Sequence, residues 1–470
     1  MKFNSLLLAL VLAGSVSVRC AFAQSTGSLT LSDFATGASS KGWEEAADVS
    51  LNIAASAKPK ITAGTGVIVF KGEGTETALT TKNSYDDTEV EFDFLVSSKA
   101  TLGVLLQGLY RVNLSDSWGS TSSVTADMGG VGPLKQGGGA FTGLPPLINV
   151  AKAPGLWQHA LIKFRSPKLS GGAKTGNGLF EEVYINGVLV QENAEVQGPS
   201  AGSVKDTETG SGPVVFVAAN GVAAIKNLKI NKLAPVITAT TTPPRRMRRV
   251  PNPILLDPSG KNYLLRSFVN FNGKKRTHVV SLGSPQQVNY SYDVKQGALF
   301  QVWHGPFMDV TEMWEQRGEP QLAKPRGAVV ALSEAPALAV LVDKEATIWP
   351  DSLAFDDLKN QGYTLDKQRN PTFEYEVAGY HVADKLAVGN ADKSIARQIT
   401  VTKAPANLYL RIARGTAITP AGNGLFVIGD KGYYVQTDEK FKPFVRYSKS
   451  GSELLVPVTS DKPVNYSIIW

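Results

Sequence analysis

The chain has 470 residues but only one cysteine, Cys20, and four histidines. If a leader peptide is removed after Ala23, the mature chain has no cysteine, which excludes disulfides, Cys-ligated zinc, c-type haem and a cysteine nucleophile. Only 19% of the residues are charged and 43% are apolar, a balance that excludes a disordered protein. Glycines fall throughout and no heptad persists, which excludes a coiled coil. The length instead suggests two or three domains with sizeable cores.

The first 23 residues have the pattern of a secretory signal peptide. Lys2 provides the positive start, residues 6–16 are mostly apolar, and a small-x-small cleavage pattern ends at Ala23. The apolar run is too short for a membrane span, and no later segment approaches that length. We therefore expect export to the periplasm or cell surface and no transmembrane segment. Lipidation at Cys20 is an open alternative, although Arg19 stands where a small residue is expected.

Residues 236–260 have the composition of an extended linker, rich in threonine and proline, between regions 24–235 and 261–470. The linker holds a basic cluster, and most of the net charge of +7 lies there or in the leader. Since the remaining charge is close to balanced, we expect no nucleic-acid partner. The cluster is either part of a solvated linker or a peripheral attachment point for anionic surfaces. The linker or the second region is also a candidate docking site for a protein partner. The cluster consists of Arg245, Arg246, Arg248 and Arg249.

Both regions show the two-residue alternation of half-buried β-strands, and sustained helical periodicity is nearly absent. Residues 89–94 alternate polar and apolar side chains strictly. Asn186-Gly187 between two apolar triplets predicts a hairpin with a two-residue turn. A short helix is predicted after Asp309, with Glu312 at the reciprocal capping position. Met313 and Trp314 are expected to pack this turn against the sheet. The chain is therefore predicted to be all-β, with two β-sandwiches in series.

The first region resembles the 3-keto-disaccharide hydrolase family over roughly residues 31–233. This resemblance implies a secreted bacterial domain with a concanavalin A-like, or laminin G-like, jelly-roll sandwich. The motifs that carry it are Asp33-Phe34, Gly42-Trp43, Leu102–Gly108, Tyr110–Gly119, Ala153–His159, Phe164–Pro167, Ile185–Val188 and Asn227–Ile230.

The chain departs from the family pattern where the resemblance places chemistry. The family's Tyr-Glu-Val-Gln is here Tyr110-Arg111-Val112-Asn113, and its Asp-His-Gly is Ala219-Asn220-Gly221. An arginine stays protonated and an asparagine does not titrate, so neither exchanges protons near neutral pH. These departures predict that the scaffold is kept while much of its expected chemistry is lost.

The altered motif nevertheless has the residue types of a sugar-binding site. Strand alternation places Arg111 and Asn113 opposite Val112 and Leu114. If Val112 and Leu114 face the core, the polar pair reaches the concave side, where it could donate hydrogen bonds to hydroxyls while Trp118 stacks on a sugar ring. The opposing interpretation is that Arg111 pairs with an acid such as Asp127 and Trp118 belongs to the core. The candidate ligand-binding residues are Tyr110, Arg111, Asn113, Asp116, Trp118 and Asn220.

Three functions remain open from the sequence. The leading hypothesis is a secreted carbohydrate-binding or interaction protein with a glycan partner and no cofactor or metal. The second is an active 3-keto-glycoside hydrolase or lyase, which needs replacement acids on the concave face. The weak catalytic candidates are Asp116 and Asp127, with Glu208 as a further acid. The third is a structural subunit of an extracytoplasmic assembly.

The second region resembles, more faintly, the β-sandwich of secreted haem-containing sugar-dehydrogenase-like proteins. No Cys-x-x-Cys-His motif occurs, so the haem module of those proteins is absent and the resemblance implies an accessory module. The motifs that carry it are Phe300–Val310, Met313-Trp314, Arg317-Gly318, Gly362–Asp366 and Pro371–Phe373.

Overall fold

A computed structural model describes residues 27–53, 58–120, 122–134, 143–235, 252–315, 320–389, 393–448 and 451–470. The predicted signal peptide, Cys20 and the four clustered arginines lie outside the described residues. Export, lipidation and attachment through the basic cluster therefore stay predictions.

The first region is built from antiparallel strands and two short 3-10 turns, Leu31–Asp33 and Ala38–Ser40. The strands are β1 Phe34–Ala35, β2 Trp43–Ser50, β3 Lys60–Gly72, β4 Thr77–Tyr85, β5 Thr88–Val96, β6 Thr101–Leu106, β7 Tyr110–Asn113, β8 Gln158–Arg165, β9 Lys168–Ser170, β10 Ala173–Gly176, β11 Gly178–Ile185, β12 Val188–Val196, β13 Gly212–Ala219 and β14 Gly221–Lys232.

Two of its sheets form a sandwich. A five-stranded sheet has the order β1-β4-β13-β6-β7, and a seven-stranded sheet has the order β12-β11-β8-β5-β14-β3-β2. Alternate residues of β5 are buried, as the polar-apolar alternation predicts. Phe92 of β5 meets Phe216 of β13 edge-to-face across the core, with ring centroids 5.2 Å apart. The chain passes repeatedly between the two sheets, and the predicted all-β sandwich is confirmed.

The predicted hairpin is also confirmed. β11 and β12 pair directly around Asn186-Gly187, and both turn residues have positive φ, 52° and 77°. A type I′ turn needs positive φ at both central positions, which Asn and Gly reach at little steric cost.

The second region continues the all-β pattern, with a 3-10 turn at Glu439–Phe441 and one short helix, α1 Thr311–Trp314, among its described residues. Its strands are β15 Leu255–Leu256, β16 Tyr263–Phe271, β17 Lys274–Gly283, β18 Val288–Asp293, β19 Ala298–His304, β20 Met308–Asp309, β21 Lys324–Pro325, β22 Ala328–Ala331, β23 Leu338–Val340, β24 Leu358–Leu365, β25 Pro371–Val377, β26 Tyr380–Val388, β27 Ile395–Thr402, β28 Leu408–Gly415, β29 Ile418–Gly422, β30 Leu425–Ile428, β31 Tyr433–Thr437, β32 Phe444–Ser448, β33 Gly451–Pro457 and β34 Val464–Ile469.

An eight-stranded sheet, β24-β25-β26-β27-β34-β31-β30-β29, dominates this region. It shares one hydrophobic core with the five-stranded sheet β16-β17-β18-β19-β22 and the four-stranded sheet β23-β28-β33-β32. Tyr292 of β18 stacks on Phe373 of β25 with ring centroids 4.1 Å apart. Leu255–Leu256, inside the predicted linker, pairs with β20 and so already belongs to the second region's sheets.

The short helix lies where it is predicted, but its capping differs. The N-cap position is Val310, and Asp309 accepts a hydrogen bond from the Thr311 backbone N–H at 2.9 Å. Glu312 makes an ion pair with Lys324 and is not the reciprocal cap. Trp314 is 47% exposed, so the expected packing of its ring against the sheet is wrong.

The two regions contact each other directly. Ala153 and Leu156 of the first region pack into the core of the second. The Tyr434 hydroxyl donates to the Pro154 carbonyl at 2.9 Å, and Lys431 forms an ion pair with Asp48 at 2.7 Å. A side chain at Gly155 would have its Cβ 2.5 Å from the Tyr434 hydroxyl oxygen, so the close approach requires glycine.

Candidate functional site

β7 lies at the edge of the five-stranded sheet and carries the altered motif. Val112 and Leu114 are fully buried in the core, as the sugar-binding hypothesis for this strand requires. Arg111 and Asn113 therefore face the opposite side of the sheet, while Tyr110 points inward with Val112. The motif thus divides its candidate residues between two faces.

Arg111 is engaged by a carboxylate of the same domain. Its Nη2 lies 2.9 Å from Oε1 of Glu76 and its Nη1 lies 3.1 Å from Oε2, a bidentate fork. The guanidinium lies across Gly103 of β6, where a Cβ would sit 2.8 Å from Arg111 Nε. The acid is Glu76 and not Asp127, which corrects the partner named from the sequence. Because the fork neutralises the cation, Arg111 does not present an unpaired charge to a ligand.

The polar groups of Asn113 are also engaged inside the domain. Its side-chain oxygen accepts from Arg111 Nε at 2.8 Å, and its nitrogen donates to the carbonyls of Thr125 at 2.8 Å and Gly132 at 2.9 Å. The residue is only 5% exposed. Asn113 therefore holds the 125–132 segment against the sheet, and both of its amide hydrogens are already donated.

The sheet face beneath Arg111 is apolar and closed to solvent. Leu105 and Val215 are 0% exposed although they lie on the face opposite the main core. The segment that begins at Ser200 crosses nearby, since Ser200 N–H donates to Leu109 O at 2.8 Å and Val204 N–H to Gly108 O at 3.0 Å. The face of the sheet under Arg111 is thus not an open cleft at this point.

Tyr110 is fully buried and donates its hydroxyl to Glu208 Oε1 at 2.6 Å. Glu208 also accepts from Lys174 Nζ at 2.8 Å. Burial, reinforced by the Glu208 carboxylate, raises the pKa of Tyr110 far above its ordinary value. The phenol therefore keeps its proton at physiological pH and cannot act as a base.

Asp116 and Asp127 organise turns. Asp116 accepts from the backbone N–H of Lys99 at 3.2 Å and of Trp118 at 3.1 Å, and burial raises its pKa. Asp127 accepts from the backbone N–H of Val124 at 2.9 Å. Each carboxylate is thus engaged by backbone N–H groups of its own turn.

Trp118 lies at the contact between the two regions. Its indole N–H donates to the Trp470 carbonyl at 2.9 Å, and the partly buried ring packs against the cores of both regions. The Trp470 ring in turn stacks on His304 with centroids 4.3 Å apart. The indole nitrogen of Trp118 is thus hydrogen-bonded within the chain, and the ring contributes to the contact between the two regions.

Asn220 is exposed in the turn between β13 and β14, with φ of 57°. Its side-chain oxygen accepts from the Gly74 backbone N–H at 3.2 Å. It thus contacts the turn that precedes Glu76, but the described residues show no bond from Asn220 to Arg111 or Asn113.

A histidine-aspartate pair lies on the outer face of the seven-stranded sheet. His159 Nδ1 is 2.9 Å from Asp93 Oδ1, and Asn227 donates to the other oxygen of Asp93 at 2.7 Å. The hydrogen bond to Asp93 raises the pKa of His159. Asp93 of β5 lies directly opposite His159 of β8. The pair could therefore be predicted from the sequence only if the register of these two strands were known.

The described residues lack two kinds of feature. They contain no group of three or more His, Cys, Asp or Glu side chains arranged to hold a metal ion. They also contain no helix with the length and apolar character needed to cross a membrane.

A family model matches most of the first region. Residues 30–231 match the family model described as the 3-keto-alpha-glucoside-1,2-lyase-like domain. No curated protein matches the chain.

Solved structures resemble less than half of the chain, and only weakly. A protein of Parabacteroides distasonis titled "putative glycosyl hydrolase" is 19% identical, with a TM-score of 0.29, over 43% of this chain and 84% of its own. A carbohydrate binding module from Bacillus subtilis is 12% identical, with a TM-score of 0.22, over 44% of this chain and 97% of its own. TM-scores this low do not establish a shared fold. The resemblance of the second region to haem-containing proteins stays a prediction. The family match over residues 30–231 agrees with the family that the motifs of the first region resemble.

Proposed function

We propose that the protein is an exported, non-catalytic carbohydrate-binding protein whose first domain keeps the lyase-like scaffold without its proton-transfer groups. The observation that carries this proposal is the fork between Arg111 and Glu76. Arg111, a permanent cation, stands where the family has a carboxylate, and its ion pair also neutralises the carboxylate of Glu76.

Catalysis on a 3-keto-glycoside needs groups that accept and donate protons at the sugar. Hydrolysis by the usual route also needs two carboxyl groups about 5 to 10 Å apart on either side of the bond. In this domain Glu76 is paired with Arg111, and Glu208 is shared between Lys174 and the buried Tyr110. These contacts favour a passive scaffold over an active enzyme.

Carbohydrate as the ligand class is supported by the family description, which names a glucoside. Sugar binding depends on aromatic faces and neutral hydrogen bonds and requires no titrating pair. The departures from the family pattern at Arg111 and Asn220 therefore remove the expected proton-transfer groups without excluding sugar binding elsewhere in the chain.

The test uses purified residues 24–470 in two assays. Incubation with a 3-keto-glucoside from about pH 4 to pH 9 should release no product, and binding to immobilised neutral glycans should be measurable. Product formation that disappears in Glu208→Gln would show an active enzyme. Absence of binding to every glycan would show that carbohydrate is the wrong ligand class.

A further inference from the structure

The second region contains an open groove on the outer face of its eight-stranded sheet. The groove encloses about 880 Å³. Its floor is a row of small side chains in register on three adjacent strands: Ala387 of β26 pairs with Ala396 of β27, and Ala396 pairs with Ser467 of β34. Three small residues side by side leave a depression in the sheet, because the side chains that flank them are longer.

The walls of the groove carry amide side chains. Gln436 of β31 closes the row beyond Ser467, and Gln398 and Asn465 stand in the next row along the strands. The 3-10 turn Glu439–Phe441 follows β31 and forms one end. All these residues line the same cavity.

The amides are held in fixed orientations with polar atoms to spare. Gln398 Nε2 donates to Asn465 Oδ1 at 2.9 Å, and Gln436 Nε2 donates to the Asn423 carbonyl at 2.7 Å. The side-chain oxygen of Gln436 and the side-chain nitrogen of Asn465 have no partner within the described part of the chain. An amide offers both donors and acceptors, which matches a hydroxyl group because a hydroxyl also donates and accepts.

The charges around the groove are balanced. Lys440 is bound to Asp438 at 2.8 Å, and the lining holds one further cation, Lys385, and one further anion, Glu439. Arg397 is on the buried side and pairs with Asp384. A groove with no excess of either charge favours an uncharged polar ligand over an anion or a cation.

Two further features narrow the ligand class. Phe441 lines the groove and packs partly on the core, and Lys440 Nζ lies 5.0 Å from its ring centroid, so a pyranose that stacks on this ring displaces Lys440. β27, β34 and β31 each have a hydrogen-bonded neighbour on both sides, so an extended peptide cannot add as a further strand here.

We propose that this groove, formed by Ala387, Ala396, Ser467, Gln436, Asn465 and Phe441, binds a neutral oligosaccharide. The inference rests on the proposed function and places its binding site in the second region. The first-domain sheet face that carries Arg111 and Asn113, whose polar groups are engaged within the domain, is then not needed for binding.

The experiment measures titration of maltotriose and cellotriose into residues 24–470 by calorimetry. Ala396→Phe fills the exposed floor of the groove, and Thr400→Phe is the matched control because Thr400 lies on the same strand face outside the lining. We expect Ala396→Phe to weaken binding by about tenfold or more and Thr400→Phe to leave it unchanged. Gln436→Ala, which adds no bulk, should weaken binding in the same direction if Ala396→Phe fails to fold.

The outcomes separate the two proposals. Equal affinity of the wild type, Ala396→Phe and Gln436→Ala would overturn the groove while leaving carbohydrate binding intact. Absence of binding by the wild type to these sugars and to the wider glycan panel would overturn the proposed function, and the groove with it. Tighter binding of an acidic oligosaccharide, such as a trigalacturonate, than of the neutral sugars would contradict the charge argument.

Discussion

Replacing Trp118 by alanine should loosen the contact between the two regions and leave glycan affinity unchanged. The indole N–H donates to the Trp470 carbonyl, and the ring packs against both cores. The variant thus distinguishes an internal structural role for this tryptophan from the sugar-stacking role that its motif suggests.

The size of the effect follows from two contributions. Trp118→Phe keeps much of the ring but leaves the Trp470 carbonyl without its donor, a loss of about 1–2 kcal/mol in the free energy of unfolding. Trp118→Ala also removes the packing of a partly buried ring, so we expect a total loss of about 3 kcal/mol, at the lower end for a buried tryptophan.

Urea denaturation followed by far-ultraviolet circular dichroism measures both losses without depending on tryptophan fluorescence. Trp314→Ala is the control, since Trp314 is 47% exposed and its removal should change stability by less than about 0.5 kcal/mol. Loss of glycan binding by Trp118→Ala at wild-type stability would refute the reasoning.

Two further predictions concern buried charge in the second region. Glu453 is 2% exposed and pairs with both Arg411 and Arg446. Because Glu453→Gln leaves two buried cations without their carboxylate, urea denaturation should show a loss of about 3–5 kcal/mol in the free energy of unfolding. A loss under about 1 kcal/mol would contradict this. Burial lowers the pKa of His304 to about 4. Between about pH 6.5 and pH 4, the imidazole takes up a proton in the unfolded chain but not in the folded chain. The free energy of unfolding therefore keeps the whole contribution of the neutral ring above pH 6.5, and it falls by up to about 3 kcal/mol as the pH drops to 4. Denaturation of His304→Asn should show a shallower acid dependence, and an unchanged slope would show that His304 is not responsible.

Much of the fold follows from patterns that are local in the sequence. The alternation in β5 and the Asn186-Gly187 turn each depend on neighbouring residues, so their burial and backbone conformation could be read directly. The failed expectation for Trp314 has the opposite cause. Whether a helical side chain packs depends on the neighbouring sheets, which a four-residue helix does not specify.

The contacts that decide the candidate site join distant residues. Arg111 binds the carboxylate of Glu76, 35 positions away in the sequence, and the indole of Trp118 donates to Trp470, 352 positions away. Strand alternation showed that Arg111 faces away from the core, but not which acid faces it. The groove has the same character, because the row from Ala387 to Ser467 exists only through the register of β26, β27 and β34.

The most direct test of the passive scaffold is the incubation of residues 24–470 with a 3-keto-glucoside, with release of the aglycone or of a sugar product followed by chromatography. The pairing of Glu76 with Arg111 predicts no release above the uncatalysed background at any pH tested. Release by the wild type that is abolished in Glu76→Gln or Glu208→Gln would contradict it, because a carboxylate of this domain would then be exchanging protons with the sugar.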